Sequence, residues 1–142
     1  MAGETTARSG INPDILPHAQ GPILNGVVWT TEVVAGQLEA ADVLQMGYLP
    51  ANVTLIGFIA YADDLDTGAA ALVWKITVGS TDVKTGMTIG QADAKITHTL
   101  TQFLSVDPYT TTAPTLVSVT FTTAAATGAA GTFCLVPVYI GN

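Results

Sequence analysis

Charge is what this sequence lacks most. Only 11% of its 142 residues are Asp, Glu, Lys or Arg, against about 25% in an ordinary soluble domain. So few charges cannot comfortably coat an isolated sphere of this size, and part of the surface is expected to be covered by partner chains. Basic residues are rarest: Arg8, Lys75, Lys84 and Lys95 stand against eleven acids, for a formal charge of −7. Phosphate contacts need Lys and Arg gathered on one face, so nucleic acid is not an expected partner.

Cysteine and histidine are nearly absent too. Cys134 is alone, so it can form no intramolecular disulfide and no metal cluster, and the chain needs no oxidising compartment. Between Phe133 and Leu135 it reads as an inert core thiol. His18 and His98 are the only histidines, one in an N-terminal segment and one in an expected strand. A Cys134–His98 dyad can be drawn on paper, but catalytic or zinc use needs further ligands, or a base and an orienting group, beside them. The sequence holds no G-x-S-x-G, no G-x-x-x-x-G-K-[ST] and no G-x-G-x-x-G. No catalytic residues, no cofactor, no metal and no enzymatic activity are expected.

Long apolar helices are missing as well. The charge-free runs Val43–Ala62 and Pro108–Asn142 are broken by Pro, Gly and Asn or by many Thr, whereas a membrane helix needs about 20 mainly apolar residues. Met1-Ala2-Gly3-Glu4 shows no basic stretch followed by an apolar core, so neither a signal peptide nor a membrane association is expected.

What is abundant is alternation between turns. The stretch LPANVTLIGFIAYADDLDTG, Leu49 to Gly68, opens as a turn, continues as a strand over Asn52–Ala62 and stops at three carboxylates and a glycine. Strict alternation puts Val53, Leu55, Gly57, Ile59 and Tyr61 on one side of that strand and Thr54, Ile56, Phe58, Ala60 and Ala62 on the other. Both sides are apolar, whereas a surface strand of a monomer is polar on one. Its outer side is therefore expected to meet another chain.

Further strands are expected at Val27–Val34, Ala40–Met46, Ala70–Val78, Thr81–Thr85, Ile96–Leu104, Thr115–Thr123 and Thr132–Ile140. Leu72, Trp74, Ile76 and Val78 share an inward face, as do Val117, Val119 and Phe121. Gly79-Ser80 reads as a hairpin turn, Ile89–Ala94 as a short helix or irregular excursion, and Pro137 as the mark of an edge or a bulge. About eight strands with almost no helix predict an all-β fold, an antiparallel β-sandwich or jelly roll over residues 27–142. Residues 1–26, with Pro13, Pro17 and Pro22, read as an extended N-terminal arm. Its apolar Ile11, Ile15, Leu16, Ile23 and Leu24 suit docking on a neighbouring subunit, or packing on its own domain.

The acidic cluster Asp63, Asp64 and Asp66 reads as a turn in which Asp side chains bond backbone amides and Gly68 supplies a positive φ. A bound cation is the alternative, although the oxygen ligands and terminal Glu of an EF-hand loop are not there. Trp29 and Trp74 read as core or interface residues rather than a sugar platform.

The segment DVLQMGYLPANVTLIGFIAYADDLDTG, Asp42 to Gly68, resembles small structural proteins of tailed bacteriophages. There a leucine-proline turn leads into an apolar strand and a D-L-D-T-G corner. A strand follows, then a G-x-A-rich excursion like Gly90-Gln91-Ala92, and a short apolar last strand like Gly131–Ile140. The resemblance covers residues 26–140 in layout and is sharp over 42–79; the Pro-rich arm departs from it. It implies a capsid decoration, or cement, protein: a jelly-roll homotrimer on the outer surface of the capsid, bound to the major capsid protein, with no catalytic residues and no cofactor. On that reading the trimer contact is expected on the outer side of 53–62, with Ile56 and Phe58, and on the last strand, with Phe133, Leu135 and Tyr139. The shell contact is expected in the arm, through Ile11, Ile15, Leu16, Ile23 and Leu24. The alternative is a carbohydrate- or receptor-binding module of a phage tail or head fibre, for which Tyr48, Tyr61 and Tyr109 are scattered candidates. A jelly-roll hydrolase lacks an acid-base pair.

Overall fold

Nine strands, eight of them in nested couples, are seen in the computed structural model, which describes residues 24–91 and 108–141. They are β1 (Leu24–Gly26), β2 (Trp29–Val33), β3 (Val43–Leu49), β4 (Val53–Ala62), β5 (Val73–Val78), β6 (Thr81–Met87), β7 (Tyr109–Thr110), β8 (Thr115–Thr123) and β9 (Gly131–Gly141). β5 pairs with β6, β4 with β7, β3 with β8 and β2 with β9, all antiparallel. This is one long hairpin with its tip at β5–β6, rolled up so that successive couples fall into alternate sheets. The result is a jelly-roll sandwich. The first sheet runs β1-β9-β4-β7, with β2 also on β9; the second runs β3-β8-β5-β6.

Local chemistry explains the turns. Asn52 adopts φ 59° ahead of β4, and Gly79 adopts φ 62° between β5 and β6, conformations that Asn and Gly tolerate best. Leu72, Trp74, Ile76 and Val78 point inward as expected, and so do Val117, Val119 and Phe121. Trp74 meets Phe133 edge to face at 4.9 Å between ring centroids, and its indole N–H donates to the Ile89 carbonyl at 2.8 Å. Among the described residues no helix is long and apolar enough to cross a membrane.

Several expectations are corrected. Leu24–Gly26, the end of the expected arm, already form a strand on β9. β3 begins later than expected and continues through Gly47 to Leu49, with a register shift between Gln45 and Gly47. The Trp29 indole lies where a Cβ at Gly47 would stand, so the second sheet meets β2 at a position only glycine fits. Gly47→Ala is expected to push the indole aside and lower stability by about 1–3 kcal/mol; an unchanged urea midpoint, followed by tryptophan fluorescence, would contradict this contact. Pro137 lies neither on an edge strand nor at the β4 bulge. It sits in β9 opposite Phe58, in the gap where β1 has ended and β2 has not begun. Ile89 and Gln91 form isolated bridges rather than a helical turn. The expected strand Ile96–Leu104, the rest of the excursion and residues 1–23 lie outside the described residues.

Candidate assembly interface

In the acidic corner after β4 the carboxylates are largely occupied by backbone. Asp66 is fully buried. Its Oδ2 accepts the N–H groups of Ala71 at 2.8 Å and Leu72 at 2.9 Å, and its Oδ1 accepts that of Thr127 at 3.0 Å. Asp63 accepts the Thr132 N–H at 2.8 Å and the Tyr61 hydroxyl at 3.3 Å. The two carboxylates thereby tie the loop after β4 to the loop before β9. Burial pushes the Asp66 pKa up, but the amides of Thr127, Ala71, Leu72 and Ala126 outweigh it and bring it down from 3.8 to about 2. A carboxylate that accepts several backbone N–H bonds behaves in this way.

The corner is thus the turn the sequence suggests, with one difference. Gly68 is not among the positive-φ glycines; it is small because a Cβ there would stand 2.5 Å from Thr127 Oγ1. Asp64 Oδ1 is shielded and has no hydrogen-bond partner among the described residues. No group of three His, Cys, Asp or Glu among those residues is placed to hold a metal ion, and they enclose no pocket. Cys134 is half-buried on the outer side of β9 rather than in the core, where the Thr30 hydroxyl approaches its sulfur at 3.8 Å. His98 lies outside the described residues. Tyr48, Tyr61 and Tyr109 sit on three strands and form no common platform: Tyr48 is exposed on β3, Tyr61 lies beside Asp63, and Tyr109 packs against the core. Trp74 is buried in the core and Trp29 packs against it.

The surfaces are more informative. A register shift between Leu55 and Gly57 makes Ile56 an extra residue in β4 and switches its alternation. Val53 and Leu55 point inward before the bulge; Phe58, Ala60 and Ala62 point inward after it. Phe58, expected at a partner contact, is therefore core. So are Phe133 and Leu135, which are fully buried, while Tyr139 packs partly against the core. Phe58, Phe133 and Leu135 therefore do not face a neighbour as expected, while Tyr139 is half-buried. Ile56 is half-buried and Leu24 is exposed, both at the surface; Ile11, Ile15, Leu16 and Ile23 lie outside the described residues.

The outer face of the first sheet is built instead by the other half of the alternation. Ile59 stands beside Val136, Gly57 beside Val138 and Thr54 beside Ile140, with Leu24 next to Ile140 across the β1 edge. The outer face of the second sheet is different in kind. It carries Ser118, Thr120, Thr122 and Thr77 and the Lys75–Asp82 ion pair at 2.8 Å, together with the exposed Val43 beside Thr120 and Tyr48 beside Leu116. The Lys75 hydrogen bond, then that of Thr77, lowers the Asp82 pKa. The outer side of β4 and β9 is the more uniformly apolar of the two. The sequence did carry a signal for this. The β9 alternation is real, and the half with Phe133 and Leu135 is the bulkier one, as befits a core.

No family model and no curated protein matches the chain. Solved structures similar to it include chains of two phage capsids. A chain of the capsid asymmetric unit of cyanophage Pam1 superposes with a TM-score of 0.71 at 23% identity, over 100% of both chains. A chain of the capsid of Ralstonia phage GP4 superposes with a TM-score of 0.69 at 23% identity, over 90% of both. At this identity the likeness establishes the fold: the chain is a jelly-roll sandwich of a form that also occurs in chains of two phage capsids.

Proposed function

We propose that this protein is a structural component of a phage virion, a decoration or cement protein that binds the outer surface of the head as a homotrimer and strengthens contacts between capsomers. The observation that carries this reading is the likeness, over nearly the whole chain, to chains of two phage capsids. The apolar outer side of β4 and β9 supports it, as does the scarcity of charge. In this reading copies meet through the outer face of β4 and β9, at Ile56, Ile59, Val136 and Ile140. Residues 1–23, with Ile11, Ile15, Leu16 and Ile23, join the contact with the major capsid protein. The mechanism is burial of apolar surface across seams, set against the entropy of ordering the arm. No step of catalysis and no cofactor enters it. An acidic chain suits an outer surface better than the packaged DNA.

Co-sedimentation of the purified protein with head shells assembled without it tests the proposal. Saturable binding is expected, and deletion of residues 1–23 is expected to abolish it while leaving the trimer intact. A wild-type protein that stays in the supernatant would overturn the reading.

A further inference from the structure

The first sheet ends at β1 and β2 on the same lateral edge where the second ends at β3, and the Trp29 indole against Gly47 closes the seam between them. β1, the Val27–Val28 link and β2 together run the length of β9, from Leu24 opposite Ile140 to Val33 opposite Gly131. Six of the seven exposed large apolar side chains among the described residues lie along this rim. Leu24 and Tyr48 are near one end, Val27 and Val28 beside the middle of β9, and Val34 and Val43 near the other end. The opposite edge is polar. There β6 carries Asp82 and Lys84 with exposed Thr81 and Thr85, β7 carries Thr110, and none of the seven is found. Six of the seven described carboxylates, Glu32, Glu39, Asp42, Asp63, Asp64 and Asp66, gather toward the Val34 and Val43 end. The rest of the rim, from Leu24 to Trp29 and from Met46 to Leu49, holds no Asp, Glu, Lys or Arg.

A ring of three copies makes a particular demand on the surface. Each of its contacts joins two different surfaces, one from each copy; only a two-fold contact pairs a surface with itself. The outer side of β4 and β9 supplies one of the two, and it is small. The ten residues of β4 rise about 33 Å and two strands are about 10 Å wide. That is well under half of the roughly 800 Å² that each partner gives to a stable interface. The contact must therefore extend beyond these two strands. Leu24 stands beside Ile140, so the apolar surface passes without a break from β9 onto the rim.

We infer that the second surface is this rim: Leu24, Val28 and Tyr48 of one copy pack on Ile59, Val136 and Ile140 of the next, an arrangement that rests on the trimer proposed above. Ring closure selects a second copy as the occupant. Were the rim kept for another partner, the face of β4 and β9 would have only itself to meet, and a ring of three cannot be built from one surface. Burial favours the same pairing. Tyr48 at 65% and Val28 at 64% are far more exposed than the half-buried Ile59 and Val136, so the rim has the larger apolar area to withdraw from water. Interface cores are likewise depleted of charge and enriched in tyrosine. The rim also consists of edge strands, whose unpaired backbone groups invite uncontrolled pairing unless something covers them. In the closed ring the three first sheets surround the three-fold axis, each packed on the rim of the next copy.

Light scattering of the full-length chain tests this, with Tyr48→Glu and Val28→Glu on the rim and Thr85→Glu on the opposite edge. Wild type and Thr85→Glu are expected at three times the 14.6-kDa chain mass and the two rim variants at one, all with the urea midpoint of wild type. Should the rim variants unfold, Tyr48→Ser is read instead and is expected to need a concentration about tenfold or more higher to trimerise. A short bismaleimide identifies the surface that the rim meets. In a Cys134→Ser background, co-expressed Tyr48→Cys and Ile59→Cys chains are expected to be linked to one another. Trimers of both rim variants at the wild-type concentration, or links only between Tyr48→Cys chains, would overturn the inference while leaving the proposed trimer standing. Rim variants that stay trimeric but no longer co-sediment with head shells would overturn it too, by assigning the rim to the shell. A wild-type protein of one chain mass would instead sink the proposed trimer itself.

Discussion

Asp66→Ala is expected to lower the unfolding free energy by about 3–5 kcal/mol, because it strands buried backbone donors that a charged acceptor now satisfies. Its oxygens hold the N–H groups of Ala71, Leu72 and Thr127, and replacement by a methyl leaves nothing in their place. Asp66→Asn keeps one acceptor oxygen, loses the charge and sets an NH2 donor against one of the N–H groups, and a loss of about 2–3 kcal/mol is expected. Acid distinguishes the two effects. The folded-state pKa of Asp66, about 2, lies below its ordinary value of 3.8. Its contribution is therefore fully present above pH 4 and is lost as pH falls from about 4 to about 2. Over that window the wild-type protein is expected to lose about 2–3 kcal/mol relative to Asp66→Asn. Urea unfolding of both proteins from pH 7 down to pH 2 measures this. A constant difference between them would show that the carboxylate is not the charged tie between the two loops.

If copies join as the proposed homotrimer, Ile59→Asp and Val136→Asp are expected to convert it to a monomer with the fold intact. The two residues stand side by side on the outer face of the first sheet. In a trimer joined by that face each substitution buries three carboxylates without partners, at several kcal/mol per ion. In the isolated chain both positions are half-buried, and a carboxylate there still reaches water. Thr120→Asp, on the polar outer face of the second sheet, is the control and is expected to leave the oligomer alone. Light scattering should give three times the 14.6-kDa chain mass for the wild type and Thr120→Asp, and one chain mass for the other two. Trimers of Ile59→Asp and Val136→Asp would rule this face out as the contact.

Much of the sandwich was legible in the sequence because its signals are local. β8 has the boundaries expected from the alternation in TLVSVTFTT, and Gly79-Ser80 makes the hairpin that its residue types suggest. Trp74 and its inward neighbours follow from a strand whose other face carries Lys75. Where both faces are apolar, alternation alone divides a strand into halves without saying which half is the core. That is why Phe133 and Leu135 were expected outside while Val136 and Ile140 are there. In β4 even the halves change places, because the extra residue Ile56 restarts the period and only the pairing with β9 reveals it. The gathering of six carboxylates at one end is also non-local. Glu32, Asp42 and Asp66 are far apart in the chain, and the nesting of β2 with β9 and β3 with β8 makes them neighbours. The turn character of Asp63–Asp66 was legible, since Asp and Gly are turn residues. The close approach of Thr127 that keeps Gly68 small was not.

A reconstruction of the assembled virion tests the central claim most directly. The account predicts this jelly roll on the outside of the head, in groups of three, with the first sheets facing one another. Particles in which the chain lies inside the head, in the tail or nowhere on the virion would contradict it.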